Sequence, residues 1–193
     1  MRVTYRAQDN KTYWNERWEN IPADPEMKNK DVYPLKYAEM VVKGKDGRIL
    51  EAGCGAGRVL RYYHNRGHDI EGFDFIPVAI EKLKTADPTL KVCAADICRM
   101  PYESSSFDSV LAFGLYHNLK DVLPQAIKET VRVMKPGGRL CASFRADNIQ
   151  TKLVDWLADR KEKALPESKK EFHKLNLTKA ELIAAFEAHY AAV

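Results

Sequence analysis

The chain has 193 residues, a net charge of +4, and 45% hydrophobic and 30% charged residues, the balance of an ordinary globular domain long enough to bury one core. No apolar run approaches the ~20 residues that span a bilayer. The N-terminal MRVTYRAQDNKTYW lacks the apolar stretch of a secretory signal, so a cytoplasmic location without membrane partners is expected.

The charge does not predict nucleic-acid binding. Lysines are dense over 160–174 (RKEKALPESKKEFHK), but glutamates interrupt them, which reads as a solvated helix face. Four cysteines, Cys54, Cys93, Cys98 and Cys141, with no export signal beside them, read as reduced thiols. No metal site is expected, because a structural zinc needs four converging ligands.

In chain order, residues 1–44 hold two helical stretches, one around YWNERW (Tyr13–Trp18) and one near Leu35–Val42. From 45 to 145 strand-like and helix-like segments alternate, which predicts a parallel sheet covered by helices on both faces. Arg48–Ala52 reads as a buried strand. Arg58–Arg66 reads as a helix that Gly67 ends. Ile70–Phe75 is the second strand, and Val78–Thr85 a helix with Ile80 and Leu83 inward. Leu90–Ala94 and Ser109–Phe113 are the third and fourth strands. Asp121–Met134 is a helix whose Val122, Ala126, Ile127 and Val131 are spaced for one apolar face. A KPGG turn then leads to a fifth strand, Arg139–Phe144. Residues 146–193 read as a helical cap, with helices at Ile149–Lys163 and Thr178–Tyr190. Thr178 and Glu181 form a capping box for the latter. The whole is one domain.

The informative segment is ILEAGCGAGRVL, residues 49–60. A buried strand runs into Gly53, Gly55 and Gly57, and a helix follows. Glycines there allow positive φ and close approach of a ligand to the backbone, and the helix start offers unpaired N–H groups to an anion. The dinucleotide fingerprint G-x-G-x-x-G would require glycine at position 58 or 60, where Arg58 and Leu60 stand. A nicotinamide or flavin cofactor is therefore disfavoured. Asp74 ends the second strand 23 residues after Glu51, near the spacing expected of a carboxylate that accepts ribose hydroxyls. Phe75 follows it with an aromatic face for a base. Asp96 ends the third strand, placed to accept from an exocyclic amine. These groups share the crevice at strand carboxyl ends where open α/β sheets bind ligands.

ILEAGCGAG, the FDF acid, AADICRMPYESSSFDSVLAFGLYHNL and VMKPGGRL together resemble the class I S-adenosylmethionine-dependent methyltransferases, particularly the small-molecule and ubiquinone-biosynthesis-like branch. The resemblance covers about residues 48–145 and implies a Rossmann-like doubly wound sheet. It implies that Glu51, Cys54 and the backbone of Gly53 to Gly57 surround the methionine part of the cofactor. By the same resemblance Asp74 holds the ribose, Phe75 flanks the adenine, and Asp96 with the Ile97 backbone meets the adenine amino group. The backbone at Phe113 would reach the methionine amino group, and His117 would lie by the transferred methyl. Trp14 and Trp18 are lid candidates, although four-residue spacing also suits plain packing. Relatives usually continue into a sixth strand and an antiparallel seventh. Here HYAAV stands where a glycine turn into that strand would be expected. Those strands are thus expected to be missing, and a second copy could cover the fifth strand's edge, which if bare would invite aggregation.

The function implied is methyl transfer from S-adenosylmethionine to an oxygen or nitrogen of a small molecule by in-line displacement, leaving S-adenosylhomocysteine. His117 is the candidate base, with Tyr116 and Arg145 bordering the substrate. RNA or protein methylation and binding without catalysis are the competing readings. No N/D-P-P-[YF] signature follows the fourth strand, where FGLY stands.

Overall fold

The computed structural model describes residues 1–23, 25–42, 44, 46–158 and 165–190. The chain opens with strand β1 (Arg2–Arg6), helix α1 (Asn10–Asn20) and a single helical turn, α2 (Leu35–Ala38). Strand and helix then alternate: β2 (Ile49–Ala52), α3 (Arg58–His64), β3 (Ile70–Asp74), α4 (Pro77–Ala86) and β4 (Lys91–Ala94). After β5 (Phe107–Ala112) and a 3-10 turn (Tyr116–Asn118) come α5 (Leu123–Val133), β6 (Met134–Ala142) and the two-residue β7 (Arg145–Ala146). Helix α6 (Ile149–Ala158), β8 (Glu171–Leu177) and α7 (Lys179–Tyr190) complete the described chain.

The central sheet has the order β4-β3-β2-β5-β6, every neighbouring pair parallel. The three inner strands, β3, β2 and β5, are buried at nearly every position because helices cover both faces. Alternate residues of β2 divide between two cores. Ile49 joins Leu35, Leu60, Tyr63, Ile80 and Leu83 on the α2, α3 and α4 side. Leu50 and Ala52 join Ala126, Ile127 and Val133 of α5 on the other. The sheet, the alternation and the doubly wound topology match the sequence reading. So do the inward Ile80 and Leu83, at 3% and 0% exposure.

The elements at the two ends of the chain depart from it. Residues 171–174, expected on a solvated helix face, belong to strand β8, and residues 160–164 of that stretch lie outside the described residues. β8 pairs antiparallel with β1 and parallel with β7, making a second, three-stranded sheet. So a C-terminal strand is present, but it does not extend the central sheet, and no described strand lies on the outer edge of β6. The side chains of Leu175 and Leu177 enter the α5-side core. The apolar alternation of this strand is confined to Leu175 and Leu177, within a lysine-rich stretch. Val122, expected inward, is exposed, and Leu123 is buried in its place.

Helix α6 is pinned by its acids. Asp155 lies 2.8 Å from Arg2 and 2.6 Å from Arg145, while Ile149, Leu153, Trp156 and Leu157 are each more than half exposed. The Thr178–Glu181 capping box forms as expected: the Thr178 N–H and hydroxyl both donate to Glu181 at 2.9 Å, and the Glu181 N–H donates back at 3.3 Å.

Candidate functional site

The crevice begins where β2 leaves the sheet. The N–H groups of Gly53 and Cys54 both donate to the carbonyl of Phe73 on β3 at 2.9 Å. This folds the turn back against the neighbouring strand's end. Gly55 and Gly57 then take φ of 51° and 77°, a region side chains resist. Space forbids a side chain there too. A Cβ on Gly55 would stand 2.6 Å from the Trp18 ring, and one on Gly57 2.5 Å from Leu83. The result is backbone without side chains at the turn, with the Trp18 indole lying on Gly55 and the buried Leu83 on Gly57.

Two carboxylates back this turn. Asp74, 8% exposed, accepts the Gly55 N–H on Oδ2 at 2.9 Å and the Ile76 N–H on Oδ1 at 3.0 Å. Burial pushes its carboxyl up, and those N–H groups act in the opposite sense. Glu51 is 4% exposed, and its Oε2 has no partner. Burial pushes it up to about 8, against the Leu60 N–H and the Arg58 charge. It is a neutral acid at pH 7. Cys54 is buried beside them, its thiol raised well above its usual value by burial and then by Glu51.

Toward β4 the crevice widens. Phe75 is half exposed, with the Lys11 ammonium 5.8 Å from its ring centre. Asp96 is exposed, its Oδ1 accepts the Cys98 N–H at 2.8 Å, and the neighbouring Ile97 is buried. Toward β5, Phe113 meets the Tyr33 ring edge-on at 5.8 Å, and Ser143 Oγ accepts the Gly114 N–H at 2.8 Å.

Helix α1 closes one side. Trp14 and Trp18 stack at 5.7 Å, and Trp18 is the ring lying on Gly55. What holds α1 there is Lys82 of α4, which no sequence signal marked. Its ammonium donates to the carbonyls of Trp18, Glu19 and Ile21 at 2.7, 2.7 and 3.0 Å. These are the unpaired carbonyls of a helix end, where a cation is favoured.

His117 sits in the 3-10 turn beyond β5, its Nδ1 buried and without a hydrogen-bond partner. Burial, then the charges of Lys174 and Arg145, push it down to about 4, so it is a neutral imidazole at physiological pH. Tyr116, expected at the substrate border, is completely buried instead. Its hydroxyl pairs with Thr130 at 2.7 Å and its ring stacks on Phe144. Arg145, also expected there, is committed to Asp155 and to Asn176 Oδ1 at 3.0 Å. Both corrections have one cause: β8 and α7 pack where open substrate space was expected.

His173 was not foreseen. A β-bulge against β1 falls at this residue, since Thr4 pairs with Lys174 and Tyr5 with Phe172. Burial and then Lys174 push it to about 4 as well. Among the described residues no cluster of three or more His, Cys, Asp or Glu could hold a metal, and no helix is long and apolar enough to cross a membrane. A separate cavity of about 310 Å³ opens at the other end of the strands, by Ile49, Asp108 and Lys135. Asp108 and Lys135 on its wall pair at 2.8 Å, and Asp46 and Arg139 also line it.

A glycine turn after a central strand, with acids ending the next two, places this fold among the Rossmann-like α/β proteins that bind ligands at strand carboxyl ends. Residues 50–142 match the methyltransferase domain family. A malonyl-[acyl-carrier protein] O-methyltransferase of Enterobacter lignolyticus is 30% identical over 112 residues, covering 58% of this chain and 44% of that protein. A demethylmenaquinone methyltransferase of Renibacterium salmoninarum is 33% identical over 94 residues, 48% of this chain and 39% of that protein. The chain thus spans less than half the length of these curated relatives. A solved S-adenosylmethionine-dependent methyltransferase of Methanosarcina mazei shares the fold with a TM-score of 0.66 at 22% identity, covering 82% of this chain and 84% of that one. Over residues 50–142 the chain is thus similar to methyltransferase domains, and its fold is shared with a solved S-adenosylmethionine-dependent methyltransferase.

Proposed function

We propose that this chain transfers a methyl group from S-adenosylmethionine to a small-molecule acceptor. The observation that carries the reading is the pairing of bare backbone at Gly55 and Gly57 with two buried acids, one of which, Glu51, has an unpartnered oxygen. A buried polar atom without a partner is costly, and an ammonium group entering from the crevice would supply the partner. The donor set fits this cofactor from end to end. Glu51 and the turn face the amino-acid part, Asp74 the sugar, and Phe75, Asp96 and Ile97 the base. Trp18, stacked on Trp14, would close over the turn.

The cofactor supplies, when bound, a methyl group already activated by a sulfonium. The protein's share is then alignment and exclusion of water, and positioning can contribute about 7–11 kcal/mol to such a step. His117, neutral at physiological pH, is available to accept a proton or a hydrogen bond from the acceptor. A base depressed to about 4 is a weak one, so it suits an acceptor that arrives largely ionised. The relatives' names, one for a carrier-bound acid and one for a quinone precursor, support a small acceptor.

The decisive experiment is thermal shift and calorimetry with S-adenosylhomocysteine against NADH, followed by transfer of labelled methyl to candidate acceptors. The adenosyl ligand should bind and NADH should not. Asp74→Asn should weaken adenosyl binding by roughly tenfold or more, as loss of a charge-assisted hydrogen bond does. Full adenosyl affinity in Asp74→Asn would overturn the assignment of the sugar site. Binding of NADH alone would overturn the function.

A further inference from the structure

Glu51 occupies an unusual position for an acid. It lies in the middle strand of five, in register with Gly72 on β3 and Leu111 on β5, and is 4% exposed. Every element around it can be surveyed for charge. From α3 come the Leu60 N–H and the Arg58 guanidinium, the latter on an exposed residue. The turn contributes the Cys54 thiol, which burial keeps neutral. From β3 comes Asp74, a second buried acid. Trp18 of α1, Leu83 of α4 and Leu115 after β5 press on the glycines of the turn and bring only hydrocarbon and indole.

The two acids are unequally served. Asp74 has a backbone N–H on each oxygen, whereas Glu51 Oε2 has nothing. Holding two negative charges here with no buried cation is expensive. The less well served acid is the one that keeps a proton.

Resting on the assignment of this crevice to S-adenosylmethionine, we propose that Glu51 stores a proton in the ligand-free site and releases it when the cofactor's ammonium group arrives. The balance is simple: the carboxylic acid of Glu51 and the incoming ammonium ion become a carboxylate–ammonium pair, and one proton passes to solvent. Cofactor capture is therefore linked to pH. Binding lowers the affinity of Glu51 for its proton, so ligand affinity rises with pH below the free site's titration near 8 and stops rising where the ligand's own ammonium group begins to lose its proton. The slope is at most tenfold per pH unit.

The test is calorimetric titration of the full chain with S-adenosylhomocysteine at pH 6.5, where the ligand's own amino group is protonated. Titrations are run in phosphate and in Tris, which differ widely in ionisation enthalpy. The observed heats should differ by the equivalent of close to one released proton. In Glu51→Gln the ligand should still bind, with the same heat in both buffers. Equal heats for the unmodified protein, or undiminished release in Glu51→Gln, would overturn the proposal. No binding at all in the unmodified protein would instead refute the cofactor assignment. If Glu51→Gln fails to bind, infrared difference spectra of the unmodified protein decide. A protonated-carboxyl band must vanish on ligand addition, and its persistence or absence from the start rules the proposal out.

Discussion

His117 and Glu51 lie at the ends of adjacent strands, and burial drives both toward the uncharged form. The histidine goes down to about 4 and the acid up to about 8. Their effects on folding stability have opposite slopes. His117 binds fewer protons folded than unfolded between about 4 and its ordinary value of 6.5. The stability it contributes is therefore present above 6.5 and lost as pH falls toward 4. His117→Gln should flatten that acid arm by up to ~1.4 kcal/mol per pH unit at its steepest. Urea midpoints measured from pH 4 to 7 check this, and an unchanged arm would mean that the imidazole is solvated after all. Glu51 binds more protons folded than unfolded between its ordinary value and about 8, so the ligand-free protein should lose stability as pH rises across that window. Glu51→Gln should remove the loss. Asp74 and Glu51 were both legible as crevice acids from their place at strand ends. The difference between them was not, because it depends on which oxygen finds a backbone N–H after folding.

Helix α1 has no buried residue, so it is not held by a core face of its own. Its N-terminus is capped by Asp9, whose side chain accepts the Thr12 N–H at 3.0 Å, and its other end is gripped by Lys82. Removing that ammonium strands three carbonyls at a helix end. Lys82→Met should cost about 1.5–3 kcal/mol of local stability, the range for hydrogen bonds to a charged group. It should show as faster hydrogen exchange over residues 10–20 with β2 and β3 unchanged. Adenosyl affinity should fall with it, because the Trp18 roof loses its anchor. If exchange over α1 is unaltered, the helix is secured by something other than this lysine. The elements of the central sheet were readable because each carries its own local signal: an apolar run, a glycine stop, a proline after a helix. Lys82 carried none, since its partners lie 61 to 64 residues away in sequence. β1 and β8 escaped for the same reason, each being short and mixed in polarity until the other completes it.

At the scale of the molecule, the second sheet makes one cooperative unit of the two ends of the described chain. β1 and β8 pair over five positions, and Arg2 reaches Asp147 at 2.9 Å as well as Asp155. Val3, Leu175 and Leu177 pack in the same core as Phe107 and Ile127 of the central layer, so this sheet is not an independent appendage. Tyr116 belongs to that core too, which is why it is unavailable to substrate. Two substitutions probe the arrangement from its two faces. Leu175→Ala removes a side chain that is 1% exposed and should cost about 2–5 kcal/mol. Asp155→Asn leaves Arg2 and Arg145 facing each other across a part-buried site, at an expected cost of about 1–3 kcal/mol. In both variants urea unfolding should remain a single transition, with tryptophan fluorescence and far-ultraviolet dichroism coincident and only the midpoint lowered. Tryptophan fluorescence reports on the crevice through Trp14 and Trp18 and on α6 through Trp156, while dichroism reports on the whole sheet. Separated transitions would therefore show that the second sheet melts on its own, and the shared core would have to be abandoned.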